Sequence, residues 1–169
     1  LYQQLGKEEA ALEESLDLVA LSIGADIVEL LGENRTLCAK GLAQLNACPR
    51  PAFLAILELA AKQLPLTLRD VVFTLAPRIN AAGRIASGRR AVDWMRSSDQ
   101  QEIEQLALEI NTDNTTRRAL DQQTTTAALA QIAANKQFEQ QYSTVVYDPT
   151  WHKGVVGIVA SRLIETHYR

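Results

Sequence analysis

The feature that most constrains this chain is a long run without helix breakers. From Gln100 to Gln137 there is neither glycine nor proline. Asp99 stands before the run as a helix cap, and Glu102 completes a capping box. The large apolar positions are Ile103, Leu106, Leu108, Ile110, Leu120, Leu129 and Ile132, thin in the middle. A long helix of that kind suits a connector between two bodies better than a core element. The consecutive threonines 124–126 have poor helix propensity, and a break would fall there.

Around this run the chain reads as mostly helical. Residues 7–22 form an amphipathic pattern with an acidic first half, and residues 18–30 run apolar on both faces, which predicts burial. Gly24 marks a bend or a close approach. Residues 32–35 read as a turn with Asn34 as a cap. Helices follow at 35–46 and 51–63, separated by Pro49 and Pro51. Thr67 caps a short turn into residues 71–75, which suit strand or helix. Gly88 to Met95 reads as a short helix, and residues 143–147 as a strand. A last helix begins near Val155.

The 169 residues suffice for one domain or for pieces of two. The start at Leu1 and the stop inside an unfinished helix at Arg169 read as a fragment of a longer protein. Hydrophobic residues make up 47% and aromatics 5%, so the class is an ordinary helix-rich globular chain. No apolar run approaches the roughly 20 residues of a membrane span. Cys38 and Cys48 share one predicted helical region and read as buried thiols of a cytoplasmic protein, without a disulfide.

The net charge of −3 is unevenly distributed. Residues 1–68 carry five basic and nine acidic side chains, and residues 97–141 carry three and seven. Residues 69–96 carry six basic against two acidic, a local excess that binds polyanions or forms a solvated helix end. Inside that block lies PRINAAGR, residues 77–84, which places Arg78, Asn80 and Arg84 around a small-residue turn. A guanidinium fork matches two phosphate oxygens at once. The plainer alternative is a structural turn whose arginines pair with surface acids. WHKGVVGIVASR, residues 151–162, leads through His152 into a helix whose amide end favours anions. His152 suits a phosphate hydrogen bond, general acid catalysis or a structural role; Arg162 suits phosphate or a salt bridge. Asn111, Asn114 and Arg118 share a face beside Arg117, either tracking a nucleic-acid backbone or solvated. Asp26, inside an apolar stretch, suits a capping or ion-paired acid, or one ligand of a hard divalent cation.

In this order, residues 18–30 with Asp26, the turn 32–35, PRINAAGR, residues 111–118 and WHKGVVGIVASR resemble the RecJ-type exonucleases of the DHH phosphoesterase superfamily. These are single-strand-specific 5′→3′ DNA exonucleases. The resemblance implies an α/β, helix-rich fold in three parts. Residues 1–88 would be the C-terminal part of a DHH domain, 89–141 a helical connector, and 142–169 the beginning of a DHH-associated domain. It implies two-metal hydrolysis with Mn²⁺ or Mg²⁺, with Asp26 as a catalytic metal ligand. The remaining ligands, an Asp-x-Asp motif, a further aspartate and an Asp-His-His triplet, would lie upstream of this chain. Arg78, Asn80, Arg84 and Arg162 would bind substrate, and His152 would act in catalysis. Single-stranded DNA and DNA-repair proteins are the implied partners, with no membrane. Gly24 and Glu29 depart from the family pattern, where a larger residue and a proline are expected.

Two other readings share these residues. One is a non-catalytic nucleic-acid-binding or interaction module of the same descent. The other is a phosphoesterase acting on small nucleotides. On the exonuclease reading, the fragment alone is inert because its metal site is incomplete.

Overall fold

The computed structural model describes residues 6, 13–135 and 142–167. The first part of the helix expected over 7–22 lies outside them. Helix α1 spans Leu16–Ala25, α2 Gly32–Ala47 and α3 Pro51–Leu59. A continuous helical run follows: α4 over Leu68–Asp70, a π-helical segment over Val71–Leu75, and α5 over Ala76–Ile85. Helix α6 spans Gly88–Arg96, α7 Gln100–Ala134 and α8 Lys153–Thr166. The helix-rich class holds, and among the described residues there is no strand.

Residues 71–75 resolve to helix, and PRINAAGR is a helix rather than a turn. Pro77 lacks an N–H and would clash with a preceding carbonyl in a regular helix. The π segment just upstream relaxes the register, with the Ala76 N–H reaching Val71 O. Alanines at 81 and 82 then favour helix and bury against the core.

Some caps differ from expectation. Helix α2 begins at Gly32 with Leu31 as its cap, and Asn34 instead donates its side-chain amide to Glu29 O at 3.2 Å. Thr67 caps α4 in a reciprocal box with Asp70. The Asp70 carboxylate also takes Lys62 Nζ at 2.7 Å. Hydrogen bonds from Lys62 and then Thr67 hold its pKa well below the ordinary carboxylate range. Asp99 caps α7 through the Gln101 and Glu102 amides. Glu102 does not close the box directly. It takes Ser97 Oγ at 2.5 Å, and Ser97 Oγ accepts from the Asp99 amide.

The core is built on α3, the π segment, α5, α6 and the first half of α7. Phe53, Ile56, Val71, Leu75, Trp94, Ile103 and Ile110 are fully buried or nearly so. The Phe53 and Trp94 rings stand 6.0 Å apart at 52°. Gly41 lets α2 touch the α1 backbone, since a Cβ there would lie 2.0 Å from Leu16 O. Gly24 faces Leu68, Val71 and Val72 at 3.4 Å, an ordinary contact for a methyl group. Burial pushes the Cys38 thiol up, whereas Cys48 is exposed, contrary to the expectation of two buried thiols.

Helix α7 runs unbroken through Thr124–Thr126. At about 1.5 Å per residue its 35 residues span roughly 50 Å. Thr124 is buried, and the Thr126 hydroxyl bonds back to Gln122 O at 3.0 Å, so the polar side chains are satisfied without breaking the helix. Its buried residues are Ile103, Ala107, Ile110, Asn114, Asp121, Thr124 and Ala128. With the half-buried Arg117 between Asn114 and Asp121, steps of three and four define a single seam, apolar at the start and polar in the middle. The first half is therefore core, packed on α3, α5 and α6, and not a bare connector. The second half meets α8.

The strand expected over residues 143–147 is not formed. The segment pairs with no strand among the described residues. Tyr147 exchanges two hydrogen bonds with the Gln131 side chain, at 3.1 and 3.2 Å. Val145 and Tyr147 remain exposed because alternation needs a neighbouring ladder to bury against.

Candidate nucleic-acid interface

The two motif stretches meet. Gly154, in the first turn of α8, lies against the end of α5, where a Cβ would come 2.2 Å from Arg84 O. The Arg84 guanidinium in turn donates to Gly154 O at 3.4 Å and is otherwise exposed. His152 caps α8, its Nδ1 accepting the Gly154 amide at 3.1 Å. That acceptor role places the ring proton on Nε2, which is left to donate outward.

The other predicted cations are partly engaged within the fold. Arg78 donates Nε to Asn111 Oδ1 at 2.9 Å and Nη1 to Thr74 O at 2.7 Å. Burial, then the charge of Arg118, lowers its pKa. Arg162 forms a two-pronged pair with Asp121, both contacts at 3.0 Å. Asn80 is exposed and makes no side-chain hydrogen bond among the described residues.

The basic block is not a uniform patch. Arg90 is held by Glu109 at 3.2 Å and Asp113 at 2.6 Å, both on α7. Arg89 pairs with Asp93 at 3.6 Å, and Arg69 lies over the Phe73 ring at 5.8 Å. The cations that converge come instead from three helices: Arg84 of α5, Arg117 and Arg118 of α7, and Arg162 of α8. Burial lowers the Arg117 pKa most; Asp121 opposes this, and the charges of Arg118, Arg84 and Arg162 add to it. Asp121 is the member that motif reading passed over, and Arg117 is set by that reading beside the face of Asn111, Asn114 and Arg118, not on the buried seam. The signal that could have placed both is the three–four spacing from 103 to 128, followed through polar residues as well as apolar ones.

Asp26 is exposed, not buried as its apolar surroundings predict. It caps the C-terminal end of α1, where a helix dipole disfavours negative charge. Its carboxylate has no hydrogen bond or ion pair among the described residues. The next residue, Ile27, has φ 53°, a left-handed conformation that is strained for a β-branched side chain. Ile27, Val28, Leu30 and Leu31 are exposed. No group of three or more His, Cys, Asp or Glu among the described residues could hold a metal ion. These residues therefore do not by themselves make up a metal centre. Likewise, no helix is long and apolar enough to cross a membrane.

A helical scaffold that gathers guanidinium groups beside a histidine-capped helix has the character of a polyanion-binding surface, and the proteins it resembles are exonucleases. The chain is similar, over nearly its whole length, to one segment of the RecJ exonucleases. The "single-stranded-DNA-specific exonuclease RecJ" of Dickeya dadantii strain 3937 is 36% identical over 176 residues, covering 99% of this chain and 30% of that protein. RecJ of Bacillus subtilis strain 168 is 37% identical over 158 residues, covering 93% of this chain and 20% of its own length. The crystal structure of RecJ with Mg²⁺ from Thermus thermophilus superposes with a TM-score of 0.81 at 30% identity, over 100% of this chain and 26% of that one. A structure of exonuclease RecJ bound to manganese gives 0.85 at 31% identity, over 100% of this chain and 42% of that one. No protein-family model matches the chain. The chain thus corresponds to one segment of RecJ, spanning less than a third of the length of these curated relatives.

Proposed function

We propose that this chain is the DNA-gripping segment of a cytoplasmic, single-stranded-DNA-specific 5′→3′ exonuclease acting in DNA repair and recombination. The observation that carries this is the contact of α5 with α8. It sets an exposed Arg84 guanidinium beside the histidine-capped start of a second helix. Arg84 and Asn80 meet the DNA backbone. Arg78 and Arg162, half engaged by Asn111 and Asp121, contribute their remaining N–H donors. His152 offers its Nε2 proton to a phosphate or a leaving oxygen.

On this reading residues 1–88 end a DHH domain, 89–141 connect, and 142–169 begin a second domain. Asp26 is one ligand of a Mn²⁺ or Mg²⁺ centre whose other ligands are supplied from outside this chain. The unpaired carboxylate at a helix C-terminus and the strained Ile27 beside it support that role. DNA-repair proteins are its further partners. The segment alone has no metal-dependent nuclease activity.

Arg84→Ala in the full-length protein tests the central claim. Loss of one charge-assisted contact of about 1.5–3 kcal/mol weakens single-stranded DNA binding roughly 10- to 100-fold. The melting temperature stays close to wild type because the side chain is exposed. A variant that binds DNA as tightly as wild type, or that loses affinity only because it unfolds, overturns the proposal.

A further inference from the structure

The polar seam of α7 holds one side chain whose charge has no carboxylate of its own. Arg117 falls between Asn114 and Asp121 in the three–four stripe that runs from Ile103 to Ala128. It therefore points toward the neighbouring helices and not straight into solvent. Its Nη2 donates to Asn114 Oδ1 at 3.1 Å. Its Nε is buried and has no hydrogen-bond partner among the described residues. The nearest acid on the seam, Asp121, is engaged on both oxygens by Arg162. Arg84, Arg118 and Arg162 are near enough to disfavour the Arg117 charge.

Arg117 thus has three other guanidinium groups near it, and the seam's one buried carboxylate is already taken by Arg162. Arg117 is half-buried, and leaving its buried Nε without a partner costs on the order of 1–3 kcal/mol. An anion arriving at the seam would offset that cost and the mutual repulsion together. Arg84, itself the leading candidate for a backbone contact, lies beside it, so one oligomeric anion can reach both. Asn114 fixes the orientation of the fork, and Asp121 holds Arg162 off it.

We propose that Arg117 is a second backbone-phosphate contact for single-stranded DNA, with Asn114 and Asp121 as its positioning residues. This rests on the function proposed above. The contact is blind to base identity, because a guanidinium facing a phosphodiester carries no sequence information.

The test is fluorescence anisotropy of a labelled oligothymidylate against the full-length protein, from low to moderate salt. For Arg117→Gln the slope of log K against log salt falls by about 0.7, one phosphate on a single strand. Affinity falls roughly 10-fold at moderate salt. The melting temperature of the free variant does not fall, because the substitution removes a half-buried charge whose Nε has no partner among the described residues. An unchanged slope, or weaker binding that only tracks a lower melting temperature, overturns the proposal. Should Arg117→Gln not fold, phenylglyoxal modification of wild type decides. Protection of Arg117 by oligothymidylate supports the contact, and equal modification with and without it overturns the contact. If Arg84→Ala weakens binding while Arg117→Gln does not, only this inference fails. If wild type shows no salt-dependent binding to the oligonucleotide, the proposed function fails with it.

Discussion

Gly154→Ala tests the contact on which the interface depends. A Cβ at this position would lie 2.2 Å from Arg84 O, 3.0 Å from Arg84 C and 3.1 Å from His152 Cε1. Two of these three atoms are backbone, so no rotamer change relieves the clash. Helix α8 must back away from α5 by roughly 1 Å to restore a tolerable distance. Overpacking of this kind costs about 1–3 kcal/mol. The same substitution inside a helix ordinarily gains about 0.5–1 kcal/mol. The net expectation is a loss of about 1–2 kcal/mol, or a melting temperature lower by roughly 2–8 °C for a chain of this size. Gly157→Ala is the internal control. It lies one turn on in the same helix, and a Cβ there meets nothing within 4 Å. It should stabilise by about 0.5–1 kcal/mol. Urea unfolding of both variants beside wild type reads the difference directly. If Gly154→Ala stabilises as much as Gly157→Ala, α8 does not rest on Arg84, and the argument that the two motif stretches share one site fails.

Two further perturbations probe the fold around the interface. Asp121→Asn releases Arg162 and leaves the seam with cations only. A fully buried pair broken from one side costs about 3–5 kcal/mol, but the Arg162 side chain is 48% exposed, so solvent reduces the loss. A destabilisation of about 1–2 kcal/mol by urea unfolding is expected, and no change would mean the pair contributes nothing in solution. Asp70→Asn concerns acid stability. The folded-state pKa of Asp70 is depressed by Lys62 and Thr67. Its contribution is therefore complete above the unfolded carboxylate pKa, near 4, and is lost as pH falls toward the lower folded value. The melting temperature of wild type should exceed that of Asp70→Asn at neutral pH, and the gap should close in strong acid. A gap that widens on acidification contradicts the sign.

Much of this architecture is legible in the sequence where local rules agree. The proline break at 49–51, the Thr67 cap, the short helix after Gly88 and the start of α7 at Asp99 all follow from capping and propensity. The failures share a cause: each depends on what lies across the chain. PRINAAGR looks like a turn because proline and glycine bracket it, yet the π segment upstream absorbs the proline. Residues 143–147 have the alternation of a strand but no partner among the described residues. Asp26 looks buried because its neighbours are apolar, yet those neighbours are themselves exposed. The middle of α7 looks like a solvated connector because its apolar count is low, although its buried stripe is continuous and merely polar. Hydrophobicity alone hides a seam made of Asn114, Arg117, Asp121 and Thr124.

The same distinction governs the electrostatics. The sequence concentrates positive charge at residues 69–96, but folding neutralises or occupies much of it. Arg90 goes to Glu109 and Asp113, Arg89 to Asp93, and Arg78 to Asn111 and a backbone carbonyl. Two of those three acids, Glu109 and Asp113, come from α7. What remains for a polyanion is the set of cations that packing leaves without carboxylates. Arg84 stands at the end of α5, and Arg117 and Arg118 in the middle of α7, near the start of α8. Acids farther than about 10 Å from this set do not cancel it, because they are screened at moderate salt. A protein with a net charge of −3 can therefore present a cationic line to a polyanion. The position of that line is set by which arginines the helix contacts leave over, and not by where arginine is densest in the sequence.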